Sequence, residues 1–185
     1  TFGTLNQRVI RLNQVELNKN YALVITTNSG LWRYLIGDTI RFTSLSPYRI
    51  KVTGRTKHHI NVFGEELMVE NTDAAIAKTC ALFDCEIVDY TVAPVFMSET
   101  QKGSHEWIIE FKNPPEDVEK FSMILDENIQ SLNSDYEAKR YNNMTLNPLV
   151  LNVARKNLFY DWLKQNDKLG GQHKIPRLSN DRNYL

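Results

Sequence analysis

The sequence predicts an α+β protein: a small antiparallel β piece followed by a larger α+β domain with a mixed sheet and about three helices. Three observations carry this. The first fifty or so residues hold only short β-branched and aromatic runs between turn signals. Helical periodicity begins only after Arg55. From there strand-like and helix-like segments alternate to the end.

Five runs in residues 1–54 read as strands: 8–12, 21–27, 31–36, 39–43 and 48–53. Asn28-Ser29-Gly30 is a hairpin signal, and Gly37-Asp38 and Ser46-Pro47 read as turns. Val69, Ala74, Ile76, Ala77, Cys80 and Ala81 then repeat at helical spacing, with Asn71 or Thr72 as the expected N-cap. Residues 85–97 read as a long strand. A second strand, 105–111, places Trp107, Ile109 and Phe111 on one face. Pro114-Pro115 opens a helix with a stripe of Val118, Phe121, Ile124, Leu125, Ile129 and Leu132. A strand over 149–153 precedes a third helix over 157–165, with Leu158, Phe159, Trp162 and Leu163 inward. The last twenty residues are polar and loop-like. The expected division is 1–54, a connection at 55–57, and 58–185.

Net charge is zero, which gives no electrostatic reason to expect nucleic acid or an anionic membrane as partner. No apolar run approaches the roughly 20 residues that span a bilayer. No signal-peptide pattern opens the chain. Cys80 and Cys85 make no disulfide framework, so free thiols in a reducing, cytoplasmic setting are expected.

Asp38 follows a glycine at a strand end, where a carboxylate can accept from both hydroxyls of a ribose; a local turn role is the alternative. Tyr34 offers a stacking face and a hydroxyl, or is a buried strand aromatic. Arg55 and Lys57 can contact phosphates, act at a hinge, or be solvated linker charge. Lys174 follows Gly170-Gly171-Gln172-His173, on a loop able to approach a ligand closely; the competing reading is a mobile tail. Walker A spacing is absent. His58-His59, His105 and His173 lack ligand spacing, and no metal site is expected. Glu65-Glu66 and Glu70 suit acid–base work or amine binding, but a solvated loop is the expected role. No Ser/His/Asp or Cys/His nucleophile set is visible.

Four segments occur in order: Gly30 to Asp38, Gly54-Arg55, Asn133 to Arg140, and Gln172 to Arg177. That order resembles the Gretchen-Hagen-type auxin-responsive family of acyl acid–amido synthetases, a branch of the adenylate-forming superfamily, and looks closest to its bacterial members. The resemblance implies an enzyme that uses ATP, with Mg²⁺, to turn a carboxylic acid into an acyl-adenylate. An amine, expected to be an amino acid, then forms the amide.

It also implies residue roles. Asp38 matches the ribose-binding acid and Tyr34 its neighbouring aromatic residue. Arg55 opens the C-terminal domain, Lys57 falls at the hinge, and Gln172 belongs to the nucleotide-side loop. Lys174 matches the catalytic lysine of adenylation. Asn61-Val62-Phe63-Gly64, with Glu66 beside it, matches the loop that enters the active site for the second step. Leu35 and Glu66 depart from the plant pattern, which carries Arg at the first and a Lys near the second, and Asn61 stands where the wider superfamily carries Lys.

No Ser/Thr/Gly-rich phosphate loop lies upstream, so the chain reads as the C-terminal part of an enzyme, inactive without the N-terminal domain of its own parent. Other readings are a non-catalytic nucleotide-binding module, transfer to a thiol acceptor, and an interaction domain whose open β edge pairs into a homodimer.

Overall fold

The computed structural model describes residues 8–56, 59–143, 145–170 and 174–183. The chain divides into two compact units, Thr1–Lys57 and His58–Leu185.

The first unit is a three-stranded antiparallel sheet of β1 (Asn20–Ile25), β2 (Tyr34–Leu45) and β3 (Tyr48–Arg55), in that order. Five strands were expected, and two corrections explain the difference. Residues 8–11 form no strand and lead into a 3-10 turn, Leu12–Gln14, in which the Gln14 side chain accepts from the Arg11 amide at 3.0 Å. Val9 and Leu12 there stay exposed and Ile10 is only half-buried, so the segment buries little.

Gly37-Asp38 is not a turn between strands; it lies inside the single twelve-residue β2. Between the pairs Ala22↔Thr39 and Val24↔Leu35, three residues of β2 stand against one of β1. Gly37 takes φ +91° in this bulge, and its carbonyl accepts from the Thr56 amide at 2.8 Å. A bulge bends the strand and re-aims the side chains beside it, here Asp38.

In the second unit, a short ladder of β4 (His59–Ile60) and β5 (Leu67–Met68) leads into α1 (Val69–Phe83). A mixed sheet follows from β6 (Glu86–Val95), β7 (Ser104–Asn113) and β8 (Val150–Val153), β7 being antiparallel to β6 and parallel to β8. The helices α2 (Val118–Leu132) and α3 (Ser134–Arg140) lie between β7 and β8, and α4 (Leu158–Gln165) follows. The helix over Ser134–Arg140 is a fourth beyond the three expected. Asn133 caps it by accepting from the Tyr136 amide at 2.7 Å.

Asn71 does not cap α1 from outside. It sits in the first turn and accepts from the Met68 amide at 3.0 Å. The inward stripe of α1 is also rotated from the expected one: Thr72, Ala75, Ile76 and Thr79 are buried, while Ala77 and Ala81 are exposed. Two threonines can face a core because their hydroxyls are satisfied. Thr72 shares a 2.7 Å hydrogen bond with the Tyr90 hydroxyl, and Thr79 donates to the Ala75 carbonyl at 2.8 Å.

The core joins Tyr90, Val92, Trp107 and Ile109 of the sheet to Ile76, Phe121, Leu125 and Ile129 of α1 and α2. Each such large side chain contributes about 1.5–3 kcal/mol by leaving water. Phe111 is only half-buried, and so are Val118, Ile124 and Leu132 at the margin of the α2 stripe. On α4 only Phe159 is buried; Leu158, Trp162 and Leu163 are half-buried.

The end of the chain is irregular, but its described residues are bound. Val92 donates to the Arg177 carbonyl at 2.9 Å and accepts from the Ser179 amide at 3.0 Å, so 177–179 line the outer edge of β6. Leu178 is fully buried there.

Cys80 and Cys85 are free thiols. Burial, and then a hydrogen bond with Cys85, pushes the Cys80 thiol up to about 12. Less of Cys80 then carries the thiolate at pH 8, only partly offset by the greater nucleophilicity of a more basic thiolate, so its alkylation is expected to run at least about tenfold slower than that of an ordinary thiol. Peptide-resolved mass spectrometry after timed iodoacetamide treatment checks this. A rate equal to that of a model peptide would exclude the shielding.

Candidate functional site

The expected nucleotide residues of the first unit meet on one hairpin. Asp38 and Arg55 are direct partners across β2 and β3, with Arg55 Nε 3.3 Å from Asp38 Oδ1. The pair is open to solvent, with side-chain exposures of 66% for Arg55 and 31% for Asp38. An ion pair this exposed adds little stability, so both groups can exchange their contact for a ligand at small cost. Tyr34 begins β2 and is exposed, which removes the reading of a buried strand aromatic. Leu31, Trp32, Leu35 and Ile36 beside it are exposed as well.

The remaining candidates lie in the second unit. The segment 61–66 connects β4 to β5 and is held from several sides. The Asn61 amide donates to Asn180 Oδ1 at 2.9 Å, and Asn180 Nδ2 donates to the His59 carbonyl at 2.7 Å. Asn133 Nδ2 donates to the Glu66 carbonyl at 3.3 Å. Gly64 takes φ +83°, a conformation that favours glycine. A Cβ there would also stand 3.3 Å from Lys139 Nζ. Phe63 is half-buried, whereas Asn61 and Glu66 are exposed.

Glu65 is not on a solvated loop. Its side chain is fully buried, with Oε1 2.8 Å from His105 Nε2 and Oε2 accepting from the Phe63 amide at 2.7 Å. Burial raises the pKa of its carboxyl, but the His105 hydrogen bond and charge and the backbone amides outweigh that and hold it below the usual carboxylate range. Its neighbour in sequence, Glu66, does face solvent.

Lys174 is exposed and immediately precedes the anchored segment. Ile175 is buried, and Thr91 donates to the Pro176 carbonyl at 2.8 Å. Arg177 grips Asp73 at 2.6 Å and lies over the Tyr90 ring at 5.2 Å. The residues just after Lys174 are thereby fixed to β6 and α1, which does not fit a tail free along its whole length. Gln172, Lys57, His58 and His173 lie outside the described residues.

Sequence reasoning missed Glu65, His105, Asn133, Asn180 and Arg177 as supports of these segments. One signal was available: His105 shares the alternation of Trp107 and Ile109 and so had to point inward. The partners themselves are brought together only by the fold, 40 residues apart for Glu65–His105 and 119 for Asn61–Asn180. Among the described residues, no group of three or more His, Cys, Asp or Glu could hold a metal ion, and no helix is long and apolar enough to cross a membrane.

Known proteins supply the frame for this geometry. The GH3 family central domain matches residues 3–55, and the GH3 family C-terminal domain matches residues 70–183. Indole-3-acetic acid-amido synthetase GH3.3 of Arabidopsis thaliana is 26% identical over 94% of this chain and 31% of its own length. Jasmonoyl–L-amino acid synthetase GH3.5 of Oryza sativa subsp. japonica is 25% identical, again over 94% of this chain and 31% of its own. The solved structure of GH3.15 acyl acid amido synthetase superposes with a TM-score of 0.72 at 24% identity, covering 95% of this chain and 34% of that one. The chain thus spans about a third of the length of these relatives. Both sequence relatives are plant proteins, and the expected bacterial type finds no support in them. With both domain types matched in order, and the C-terminal one over more than half its residues, the chain belongs to the GH3 family.

Proposed function

We propose that the full-length protein is an ATP-dependent acyl acid amido synthetase. It activates a small carboxylic acid as an acyl-adenylate, releasing pyrophosphate, and passes the acyl group to the amine of an amino acid, releasing AMP. The observation that carries this reading is the exposed Asp38–Arg55 pair at the end of a GH3 central-domain segment. It places an acceptor suited to ribose hydroxyls beside a cation suited to phosphate.

In this reading Asp38 accepts from the ribose and Tyr34 lies near the nucleotide. Arg55 exchanges its contact with Asp38 for a phosphate oxygen. Lys57 marks the hinge before a mobile C-terminal domain of residues 58–185, and Gln172 sits on the nucleotide side of the closing loop. Lys174 donates to the α-phosphate as charge develops there. After rotation of the C-terminal domain, Asn61, Phe63, Gly64 and Glu66 line the path of the amine, which attacks the acyl carbon as AMP leaves and then loses a proton. The described residues offer no site that would hold Mg²⁺ by themselves; the ion would enter with the phosphates of ATP. Acid selection and the phosphate loop fall to parts of the parent outside this chain.

ATP–pyrophosphate exchange by the full-length protein over a panel of carboxylic acids tests the reading. Asp38→Ala is expected to raise the KM for ATP at least about tenfold, the scale of one lost charge-assisted hydrogen bond. Exchange with no acid, from folded protein that still binds ATP, would overturn the ligase in favour of a nucleotide-binding module.

A further inference from the structure

The Glu65–His105 pair has no part in the chemistry proposed above, yet it is the most completely buried polar contact of the loop between β4 and β5. Both side chains have 0% exposure. Glu65 divides its two oxygens between two elements: Oε2 accepts from the loop's own Phe63 amide at 2.7 Å, and Oε1 meets His105 Nε2 on β7 at 2.8 Å. The carboxylate is therefore a bridge from loop backbone to sheet.

The Phe63 side chain repeats the connection. Its ring centroid is 6.2 Å from that of His105, and the ring closes on Gly103, where any Cβ would stand 2.5 Å from it. His105 is in turn stacked on Tyr136 of α3, centroids 5.4 Å apart. His105 Nδ1 has no hydrogen-bond partner among the described residues. A buried nitrogen left in that state costs free energy, so the histidine's gain comes from holding Glu65 and the two rings. A carboxylate used only to fill a core would be costlier than an apolar residue of the same size.

We propose that Glu65 and His105 are positioning residues that fix the Asn61–Glu66 loop in the single conformation needed for attack of the amine on the acyl-adenylate. The proposal rests on the amide-forming reading above and deepens it: neither residue touches substrate, and both act through Phe63 and Gly64. Adenylation, which needs Lys174 rather than this loop, does not depend on the pair.

The test has two arms. In the first, hydrogen exchange of the chain is followed for Glu65→Ala, Glu65→Gln and His105→Gln. Glu65→Ala is expected to speed exchange of the Phe63 amide at least about tenfold while the Trp107 and Ile109 amides of β7 keep their protection. Glu65→Gln is expected to retain most of the protection, because its amide oxygen still accepts from Phe63. His105→Gln keeps a donor toward Glu65 but loses the ring contacts with Phe63 and Tyr136; it is expected to speed Phe63 exchange with Ile109 still protected, and so covers the case in which Glu65→Ala folds poorly. Equal loss at Phe63 and Ile109 would reduce the pair to a contribution to global stability, and an unchanged Phe63 rate would deny the bridge altogether.

In the second arm, the full-length Glu65→Ala protein is assayed for both half-reactions. Aminolysis of supplied acyl-adenylate is expected to fall at least about tenfold, with pyrophosphate exchange within about twofold of wild type. Equal losses in both would overturn the positioning role. If the wild-type protein performs neither half-reaction, the amide-forming reading fails and the positioning role fails with it. Hydrogen exchange would still decide whether the pair pins the loop.

Discussion

Replacing Lys174 by alanine in the full-length protein is expected to slow acyl-adenylate formation about 10²- to 10³-fold, the scale of losing one preorganised donor to charge developing in a transition state. Aminolysis of a supplied acyl-adenylate should fall less, within about tenfold. The asymmetry follows from where the charge develops: on the α-phosphate in the first step, and on the carbonyl carbon's substituents in the second. The structure favours a large effect because the residues after Lys174 are immobilised. Arg177 is tied to Asp73, its carbonyl is bonded to Val92, and Leu178 is fully buried. A cation delivered from a fixed base loses less freedom on meeting its target than one at the end of an unattached tail. Single-turnover adenylation and aminolysis, measured separately, decide the matter. Comparable losses in both steps would remove Lys174 from its assigned role, and no loss in either would make the Gly-rich segment a plain connector.

Much of the fold was legible because local patterns and tertiary packing agree. The period-2 alternation of residues 105–111 gave β7 and its inner face, and the 3.6-period stripe gave α2. The errors fall where a side chain satisfies a backbone group in a way periodicity does not encode. Gly37-Asp38 has the composition of a turn, but the glycine serves a bulge, and only the pairing of β2 with both neighbours reveals that. Thr72 and Thr79 read as polar, yet the Tyr90 hydroxyl satisfies the first and the Ala75 carbonyl the second, which lets both face the core.

The candidate site divides the same way. Asp38 and Arg55 are visible in sequence as chemical types, but that they face each other across a hairpin depends on the register of β2 with β3. Glu65 is indistinguishable in sequence from Glu66 beside it. One residue of offset buries the first beneath Phe63 and leaves the second in solvent.

Arg140→Leu is expected to destabilise the second unit by about 3–5 kcal/mol, because it strands a buried carboxylate. Asp126 and Arg140 have side-chain exposures of 6% and 7%. Arg140 Nε lies 3.1 Å and 3.0 Å from the two oxygens of Asp126, and Nη2 lies 2.8 Å from Oδ2. Nη1 continues to the Leu146 carbonyl at 2.9 Å and to the Asn143 side chain. Asp126 also accepts from the Tyr136 hydroxyl at 2.6 Å; burial, and then the negative charge beside it, raise the Tyr136 hydroxyl well above the usual phenol range.

The cluster thus joins α2, α3 and the approach to β8 through one carboxylate. Leucine at position 140 would leave that carboxylate with the Tyr136 hydroxyl, the Gln130 side-chain amide at 2.7 Å and the Leu149 backbone amide at 3.4 Å, but no cation. The double variant Asp126→Leu/Arg140→Leu separates the cost of an unpaired charge from the worth of the pair, since it buries no ion. It is expected to be more stable than Arg140→Leu alone, with a coupling of about 1–3 kcal/mol. Urea unfolding followed by the helix signal reads the second unit selectively, because all four described α-helices lie in it. A double variant no more stable than Arg140→Leu would mean that the cluster stabilises by packing and hydrogen bonding rather than by pairing charge. In that case α3 would owe its place to Tyr136, which is buried against His105 beneath the loop that Glu65 holds.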